Sequence, residues 1–146
     1  MNFALRITLN GKCAEAVKFY SEVFGIAPAE YFTFGDKRDL LGGVQEDKSH
    51  YVYSAILNIS GNPGLCLVLG DTPALLFQDD PVPYGFGAMQ HTTIEITDSD
   101  PDVIRGIFGQ LMRNGKANKE IGETPEYKLF GSLIDGYGVL WNLYCI

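Results

Sequence analysis

The sequence of 146 residues contains no long hydrophobic run. None of its apolar stretches approaches the roughly 18 to 20 residues with which a helix crosses a bilayer. The beginning, MNFALRITLNGK, also lacks the basic start, the long apolar core and the small-residue cleavage site of a secretory signal. These two absences predict a cytoplasmic protein that does not work in a membrane.

Cysteine is scarce as well, with three residues at Cys13, Cys66 and Cys145. An odd number cannot complete a disulfide framework, and the wide spacing excludes the close cysteine pairs of a zinc knuckle. Each cysteine falls within an apolar stripe. We therefore expect buried, reduced thiols, with a reactive thiol as the alternative.

Positive charge is the third shortage, because 11 Lys and Arg residues stand against 18 Asp and Glu residues and the net charge is −7. Nucleic-acid binding depends on clustered basic residues, and here they are scattered, so no nucleic-acid partner is expected. An anionic membrane surface is disfavoured for the same reason. The acidity would attract a cationic ligand, although ordinary solubility explains it equally well.

The sequence contains the pattern of a strand followed by a helix two times. In the first half, apolar residues alternate over residues 3–9, and a helical stripe over residues 13–24 is closed by a glycine. In the second half, the alternation returns at residues 92–96 and the helical stripe at residues 104–112, closed by Gly115. The repeat predicts two modules of the same architecture.

Each half continues with further strands and a glycine turn. The predicted strands cover residues 30–34, 51–59 and 65–69 in the first half and residues 127–134 and 139–146 in the second. The polar segment 35–50 is too long for a tight turn and is predicted to be a loop. It gives the first module the longer internal connection.

The repeat predicts a single domain, residues 1–146, of the α+β class. Two βαβββ modules, at residues 1–71 and 89–146, would form a curved mixed-sheet cup, with a Pro- and Gly-containing connector at residues 72–88. A chain of this length buries roughly two-thirds of its unfolded surface, which is enough to fold without disulfides. Because a cup can hold a small molecule, we expect a small-molecule ligand.

Period-two alternation assigns strand residues to two faces. The apolar residues of each first strand pack under the helix, and the polar residues between them point into the cup. The candidate ligand-binding residues are Arg6, Thr8, His91, Thr93, Glu95, Asn142 and Tyr144. The candidate aromatic walls are Phe32, Phe34, Tyr51 and Tyr53. Core packing is the alternative for these four rings.

Two of these residues carry competing interpretations. Arg6 interrupts an apolar strand, where an unpaired buried charge would be very costly. Its guanidinium either pairs with Glu95 across the cup or holds an anionic or carbonyl-bearing ligand. His91 is either a neutral, hydrogen-bonded residue or an acid–base group. Asp135 and Gly136 are assigned to a turn between the last two strands.

Three segments resemble the vicinal oxygen chelate superfamily, which includes glyoxalases, extradiol dioxygenases and antibiotic-resistance proteins. They are NGKCAEAVKFY at 10–20 with VFG at 23–25, LVLGD at 67–71, and GSLIDGYGVLW at 131–141. The branch that they resemble is that of the PhnB-like proteins, often described as demethylubiquinone methyltransferase-like. The resemblance implies the glyoxalase/bleomycin resistance/dioxygenase fold and a homodimer.

Enzymes of this superfamily hold a divalent metal with His or Glu residues from four strands. Transferred to this chain, the four positions fall on Ala4 (or Leu5 in a register shifted by one), Val68, His91 and Asn142. Since Ala4 and Val68 carry no donor atom, the resemblance implies a cup without the superfamily metal, and we predict no cofactor. Glu95 lies on the same face as His91 and could add a donor.

The sequence therefore predicts a PhnB-like small-molecule-binding protein without a catalytic metal and leaves open whether it is an enzyme. One alternative is a metal-dependent lyase or dioxygenase with a displaced site around His91 and Glu95. The other is a drug-sequestering resistance protein of the bleomycin-binding type. Methyl transfer is the least supported, because no glycine-rich nucleotide loop follows a strand with an acidic residue downstream.

Overall fold

The chain divides into two units that share one order of elements. Unit one spans Met1–Gly85 and unit two spans Phe86–Ile146. The computed structural model describes residues 3–62, 65–77 and 92–146. His91 and most of the predicted connector lie outside the described residues, so the domain division at residues 72–88 stays a prediction.

Within the described residues, each unit contains four strands and one α-helix. Unit one consists of strand β1 (Phe3–Leu9), helix α1 (Cys13–Phe24), and strands β2 (Glu30–Thr33), β3 (Val52–Leu57) and β4 (Leu65–Asp71). Unit two consists of strand β5 (Thr93–Asp98), helix α2 (Pro101–Leu111), and strands β6 (Lys116–Gly122), β7 (Leu129–Ile134) and β8 (Leu140–Cys145). The described part of unit one also has 3-10 helices at Gly35–Lys37, Glu46–Lys48 and Pro73–Leu76.

The two sheets have the same topology. The strand order is β1-β4-β3-β2 in unit one and β5-β8-β7-β6 in unit two. In each sheet the strand before the helix pairs in parallel with the last strand, and the other pairs are antiparallel. The predicted α+β fold of two βαβββ modules is confirmed.

The alternation of β1 separates the two faces of the first sheet. Ile7 and Leu9 are buried on the helix side, whereas Arg6 and Thr8 are exposed on the other side, which we call the open face of unit one. Helix α1 packs against β3 and β4. It ends, as the sequence predicts, at Gly25, whose φ of 63° lies in the left-handed region that glycine adopts without strain.

Asp71, the last residue of β4, connects α1 to β3. Its side chain is 1% exposed, and its carboxylate accepts hydrogen bonds from the backbone N–H of Cys13 (3.0 Å) and of Val52 (2.9 Å). Lys12 at the N-cap of α1 makes no side-chain cap. Asp71 therefore caps the helix from a different element. Burial, followed by the negative charge of Asp71, raises the pKa of the Cys13 thiol.

Helix α2 forms the apolar cover of the second sheet. Its N-cap is Asp100, whose carboxylate accepts the N–H of Asp102 (2.9 Å), and Pro101 occupies the first turn. The helix packs against β5, β7 and β8. The fully or almost fully buried side chains of this unit include Ile104, Phe108, Leu111, Leu129, Leu133, Trp141 and Leu143. The other side of the sheet is the open face of unit two.

Asp135 occupies the turn between β7 and β8, as predicted, and also holds the core. Its Oδ1 accepts the N–H groups of Tyr137 (2.8 Å) and Val139 (3.0 Å). Its Oδ2 accepts the indole Nε1–H of the fully buried Trp141 (2.8 Å). The turn residue thus satisfies the polar group of the largest side chain in the core.

Two elements of unit two differ from the sequence prediction. The pattern does not reveal β6, because its residues KANKEIG are mostly polar and it lies at an edge of the sheet, where it pairs with β7 alone. Helix α2 ends at Leu111, with Met112 as the C-cap, and not at Gly115. The N–H of Gly115 instead closes a turn on the carbonyl of Met112 (2.9 Å).

The predicted loop at residues 35–50 is built around a small apolar cluster. Phe34 and Leu75 are fully buried at its centre. Lys48 Nζ donates a hydrogen bond to the carbonyl oxygen of Leu75 (2.6 Å), and Arg38 forms an exposed ion pair with Glu46 (3.0 Å). The cluster and the lysine contact fasten the loop to the segment that follows β4.

Neither α1 nor α2, the two α-helices of the described residues, has the length and apolar composition to span a bilayer.

Candidate ligand-binding site

Three predicted ligand-binding residues meet on the open face of unit two. Glu95 of β5 lies beside Asn142 of β8 in the parallel register, and Tyr144 follows two residues later on the same face. The Tyr144 hydroxyl donates a hydrogen bond to Oε1 of Glu95 (3.1 Å), and Asn142 Nδ2 donates to the Tyr144 hydroxyl (3.4 Å). Glu95 is exposed, and the other two residues are half-buried.

Tyr144 keeps its proton in this arrangement. Desolvation, followed by the hydrogen bond to Glu95 and the negative charge of Glu95, raises the pKa of Tyr144 above its ordinary value of 10.0. The hydrogen bond from Asn142 acts in the opposite direction and does not cancel the rise. The phenol is therefore a donor, and the carboxylate of Glu95 is its acceptor, at neutral pH.

Two further rings flank Tyr144. The ring centroid of Tyr127 lies 4.9 Å from that of Tyr144, and the centroid of Phe130 lies 5.0 Å from it. A groove of about 380 Å³, which we call the Tyr127 groove, is lined by Thr124, Pro125, Glu126, Tyr127, Phe130 and Tyr144. Small-molecule sites typically have volumes of roughly 300–1,000 Å³, so the groove has the size of such a site.

Sequence reasoning missed the Tyr127 groove. It assigned Tyr127 to a strand, whereas β7 begins only at Leu129 and Tyr127 belongs to the preceding turn. The N–H of Tyr127 donates to Oγ1 of Thr124 (3.0 Å), and the N–H of Thr124 donates to the carbonyl of Tyr127 (3.1 Å). The Thr-Pro pair at 124–125 was the available signal for this turn.

Arg6 and Thr8 lie on the open face of unit one, as predicted. Arg6 Nη2 donates a hydrogen bond to the carbonyl oxygen of Tyr53 (2.8 Å). The Tyr53 carbonyl lies beyond Ala55–Leu69, the last residue pair of the β3–β4 ladder. Because β4 provides no ladder partner there, the Arg6 side chain acts as the hydrogen-bond donor. The predicted ion pair between Arg6 and Glu95 would join the two units and stays a prediction.

Of the four aromatic residues predicted to form walls of the site, three belong to an apolar cluster and one lies nearer the surface. Phe34 is fully buried, Tyr51 packs edge-on against it with centroids 5.9 Å apart, and Tyr53 joins the same apolar cluster. Phe32 is half-buried, and Lys37 Nζ lies 4.0 Å from its ring centroid. This cation–π contact was not predicted, because the 3-10 helix that positions Lys37 was not.

The last two predicted site residues stand apart from these groups. Thr93 is exposed beside Leu140 at the start of β5. His91 lies outside the described residues, so its acid–base role stays a prediction. The ligand-binding role of all seven residues also stays a prediction. Burial alternates with exposure along residues 6–9 of β1 and with half-burial along β8, as the pattern predicts.

The described residues do not fit the metal of the superfamily. In unit one, Ala4 and Val68 end in methyl groups, and the neighbour of Val68 on β1 is the cationic Arg6. A divalent metal needs nitrogen, oxygen or sulfur donors, and these two positions offer none. Among the described residues, no group of three or more His, Cys, Asp or Glu side chains could hold a metal ion. The donors expected from unit one are therefore missing whatever His91 contributes.

Neither a family model nor a curated protein matches the chain.

Solved structures do match it over nearly its whole length. A protein of Pseudomonas aeruginosa has a TM-score of 0.78 and 21% identity, with 99% of this chain and 97% of that chain covered. The PhnB protein of Bacillus cereus has a TM-score of 0.77 and 21% identity, with both chains fully covered at 100%. A glyoxalase/bleomycin resistance protein/dioxygenase family enzyme of Burkholderia phytofirmans has a TM-score of 0.59 and 13% identity, with 98% and 96% covered. The chain therefore has the glyoxalase/bleomycin resistance/dioxygenase fold, the fold of the vicinal oxygen chelate superfamily that its sequence resembles.

Proposed function

We propose that this chain is a small-molecule-binding protein of the PhnB-like branch that works without the superfamily metal. The observation that carries this proposal is the hydrogen-bonded group of Glu95, Tyr144 and Asn142 beside the Tyr127 groove. The fold alone would not support it, because one fold serves many functions. The chemistry of these particular side chains supports it.

The open face of unit two combines directional polar groups with apolar surface. Glu95 offers a charged acceptor, Asn142 an amide, and the Tyr127 groove three aromatic rings. Binding sites for small molecules are lined mainly by apolar and aromatic groups, with a few polar groups that orient the ligand.

The absence of metal chemistry is proposed from the donor set. Ala4 and Val68 take the two positions that unit one would contribute, and the Arg6 cation next to Val68 would repel a divalent ion. We expect calorimetric titration with nickel, zinc, manganese and iron(II) to show no tight stoichiometric binding. Tight binding of one of these ions per chain would contradict the proposal and favour the lyase or dioxygenase alternative.

The proposed protein is a cytoplasmic homodimer. A dimer follows from the resemblance alone, and light scattering coupled to size-exclusion chromatography measures it directly. A mass of about 16.1 kDa at every concentration would contradict the dimer without affecting the ligand site.

Binding is tested by a ligand screen with matched variants. A metabolite library is screened by thermal shift, and each hit is repeated on Glu95→Gln and Tyr144→Phe, with Glu120→Gln and Tyr31→Phe as controls. Glu120 and Tyr31 are exposed residues outside the proposed site. We expect at least one compound whose stabilisation is lost in the first two variants and kept in the controls. Hits that are insensitive to both site variants would contradict the proposed site.

Drug sequestration is a second candidate, favoured by the net charge of −7. A bulky cationic drug would be attracted by this charge, and its binding would weaken as salt is added. Titration with a bleomycin at low ionic strength separates the candidates. Saturable, salt-sensitive binding supports sequestration, and no binding at low ionic strength removes it.

A further inference from the structure

We propose that the Tyr127 groove binds a small organic ammonium ion. The three rings would face its alkyl groups, and the carboxylates of Glu95 and Glu126 would complement its charge. This inference rests on the proposed function, because it names the ligand class for the same open face. It is carried by the geometry of the rings and by the distribution of charge around them.

The three rings of the groove are inclined to one another. Tyr144 contacts both Tyr127 and Phe130, with centroid separations of 4.9 Å and 5.0 Å and interplanar angles of 63° and 32°. Rings inclined in this way cannot all stack on one flat ligand. The aromatic surface that they contribute to the groove is of the kind that attracts alkylated ammonium groups.

The charge around the groove selects a cation over an anion. Glu126 is the one charged residue among the six that line it, and Glu95 accepts the hydroxyl of Tyr144 at the groove wall (3.1 Å). A carboxylate close to the rings repels an anion and attracts a cation, and this attraction adds to that of the ring faces. A neutral ligand could donate a hydrogen bond to either carboxylate but would gain no charge–charge attraction from it.

The lysines near the groove do not line it. Lys128 follows Tyr127 but is not one of the six lining residues, and its Nζ donates a hydrogen bond to the carbonyl oxygen of Ile146 (3.2 Å). Lys119 belongs to β6 and pairs with Ser132 of β7, so a whole strand separates it from Tyr144 of β8. The net charge of −7 adds a long-range attraction for cations.

The test compares two probes of the same shape. Choline carries a trimethylammonium group, and 3,3-dimethyl-1-butanol replaces its nitrogen with carbon and removes the charge. Both are titrated into the full chain while the backbone amide resonances are followed by NMR. We expect choline to shift the amides of residues 124, 126–130 and 144 saturably and to bind about tenfold more tightly than the alcohol. Added salt should weaken choline alone.

Two variants separate charge from aromatic contact. Glu95→Gln keeps an acceptor for the Tyr144 hydroxyl and removes the charge, and Tyr127→Leu removes one ring and keeps apolar volume. Each should weaken choline binding severalfold, up to about tenfold, whereas Glu120→Gln should leave it unchanged. The same amide spectra show whether each variant keeps the wild-type fold.

The outcomes distinguish this inference from the function on which it rests. Equal affinity for choline and the alcohol would overturn the ammonium class and leave the groove standing as a small-molecule site. No saturable shifts with millimolar choline would overturn it as well, and the library screen alone would then decide the proposed function. Choline shifts that map outside residues 124–130 and 144 would place the cation elsewhere and also refute the inference.

Discussion

The guanidinium group of Arg6 lies directly over the backbone of Gly70 and donates a hydrogen bond to the carbonyl oxygen of Tyr53. A Cβ atom at Gly70 would overlap the Arg6 Nη2 atom and would approach the Tyr53 oxygen to 2.6 Å. A glycine within a strand is otherwise unfavourable, because it has no side chain to pack, and Gly70 is the next-to-last residue of β4. The absence of a side chain at Gly70 therefore leaves the space that the Arg6 guanidinium occupies.

Replacing Gly70 should displace Arg6. We expect Gly70→Ala to lower the free energy of unfolding by about 1–3 kcal/mol, since the new methyl group must push aside the guanidinium and the Tyr53 carbonyl. Urea denaturation of the wild type, Gly70→Ala, Arg6→Ala and the double variant forms a thermodynamic cycle. The two changes should couple, with Gly70→Ala costing less when Arg6 is absent. Additive costs would show that the arginine does not depend on the glycine.

Replacing Asp135 should loosen the core around Trp141. Asparagine has one acceptor oxygen, so either the indole N–H or the two backbone N–H groups of the turn would face an NH₂ group. We expect Asp135→Asn to lower the free energy of unfolding by about 1–3 kcal/mol. Trp141 fluorescence during urea denaturation measures it.

Asp39→Asn is the control for this change. Asp39 is exposed, and its replacement also removes one negative charge. It should change the unfolding free energy by no more than about 0.5 kcal/mol. A similar loss in both variants would mean that net charge, and not the hydrogen bonds of Asp135, accounts for the effect.

Tyr144 should ionise at higher pH than an unperturbed tyrosine. Its folded pKa is raised, so the folded chain holds this proton more tightly than the unfolded chain. Any stability it contributes is complete below pH 10.0 and is lost as the pH rises through the higher folded value. Carbon-13 NMR of the tyrosine Cζ atoms, assigned with Tyr144→Phe, follows the titration.

The Glu95→Gln variant identifies the cause of that shift. It removes the negative charge and leaves the desolvation of Tyr144, which is the larger cause. The pKa of Tyr144 should therefore fall part of the way towards its ordinary value. An unchanged titration would show that Glu95 does not contact the phenol in solution.

The three thiols should differ in reactivity. Cys13 and Cys145 are fully buried, and burial followed by the charge of Asp71 raises the pKa of Cys13, so few thiolates form there. Cys66 is partly exposed on β4. We expect a disulfide reagent at neutral pH to modify one thiol rapidly in the folded chain and the other two only after denaturation.

Mass spectrometry of the peptides assigns the modified residue. Cys66→Ser should abolish the rapid phase and leave the slow phase unchanged. Rapid modification of Cys13 in the folded chain would contradict the burial described here and with it the packing of α1 on its sheet.

The repeated modules make the same backbone hydrogen bond at the ends of their sheets. The N–H of Thr72 donates to the carbonyl of Leu9 (2.7 Å), and the N–H of Ile146 donates to the carbonyl of Asp98 (3.2 Å). These two bonds align the modules residue by residue. Arg6 lies three residues before Leu9, and Glu95 lies three residues before Asp98. Arg6 and Glu95 therefore occupy the same position of the repeat.

The same alignment sets Gly70 of β4 against Tyr144 of β8. Unit one thus has an arginine that passes over a glycine, where unit two has a glutamate that accepts a tyrosine hydroxyl. The same backbone topology therefore places a positive side chain, Arg6, on the open face of unit one and a negative side chain, Glu95, on the open face of unit two. The difference in charge comes from the residues of two strand pairs, β1–β4 and β5–β8.

The elements with strong local signals could be predicted from the sequence. Helix α1 has a regular apolar stripe and ends at a glycine in the left-handed region, and β1 alternates without interruption. Strand β6 could not be predicted in this way, because its stability comes from pairing with β7 and not from its own residues. The end of α2 could not be predicted either, because the helix ends at Leu111 and not at the glycine, Gly115, that follows its apolar stripe.

By itself the sequence determined the duplicated architecture and the faces of the strands, because these depend on periodicities of neighbouring residues. It placed Arg6, Glu95, Asn142 and Tyr144 on the side of the sheets away from the helices. Only the tertiary structure decided their partners: Tyr53 for Arg6, Tyr144 for Glu95, and the rings of the Tyr127 groove. Such contacts join residues far apart in the chain, so they depend on strand register and turn geometry, about which a local pattern carries no information.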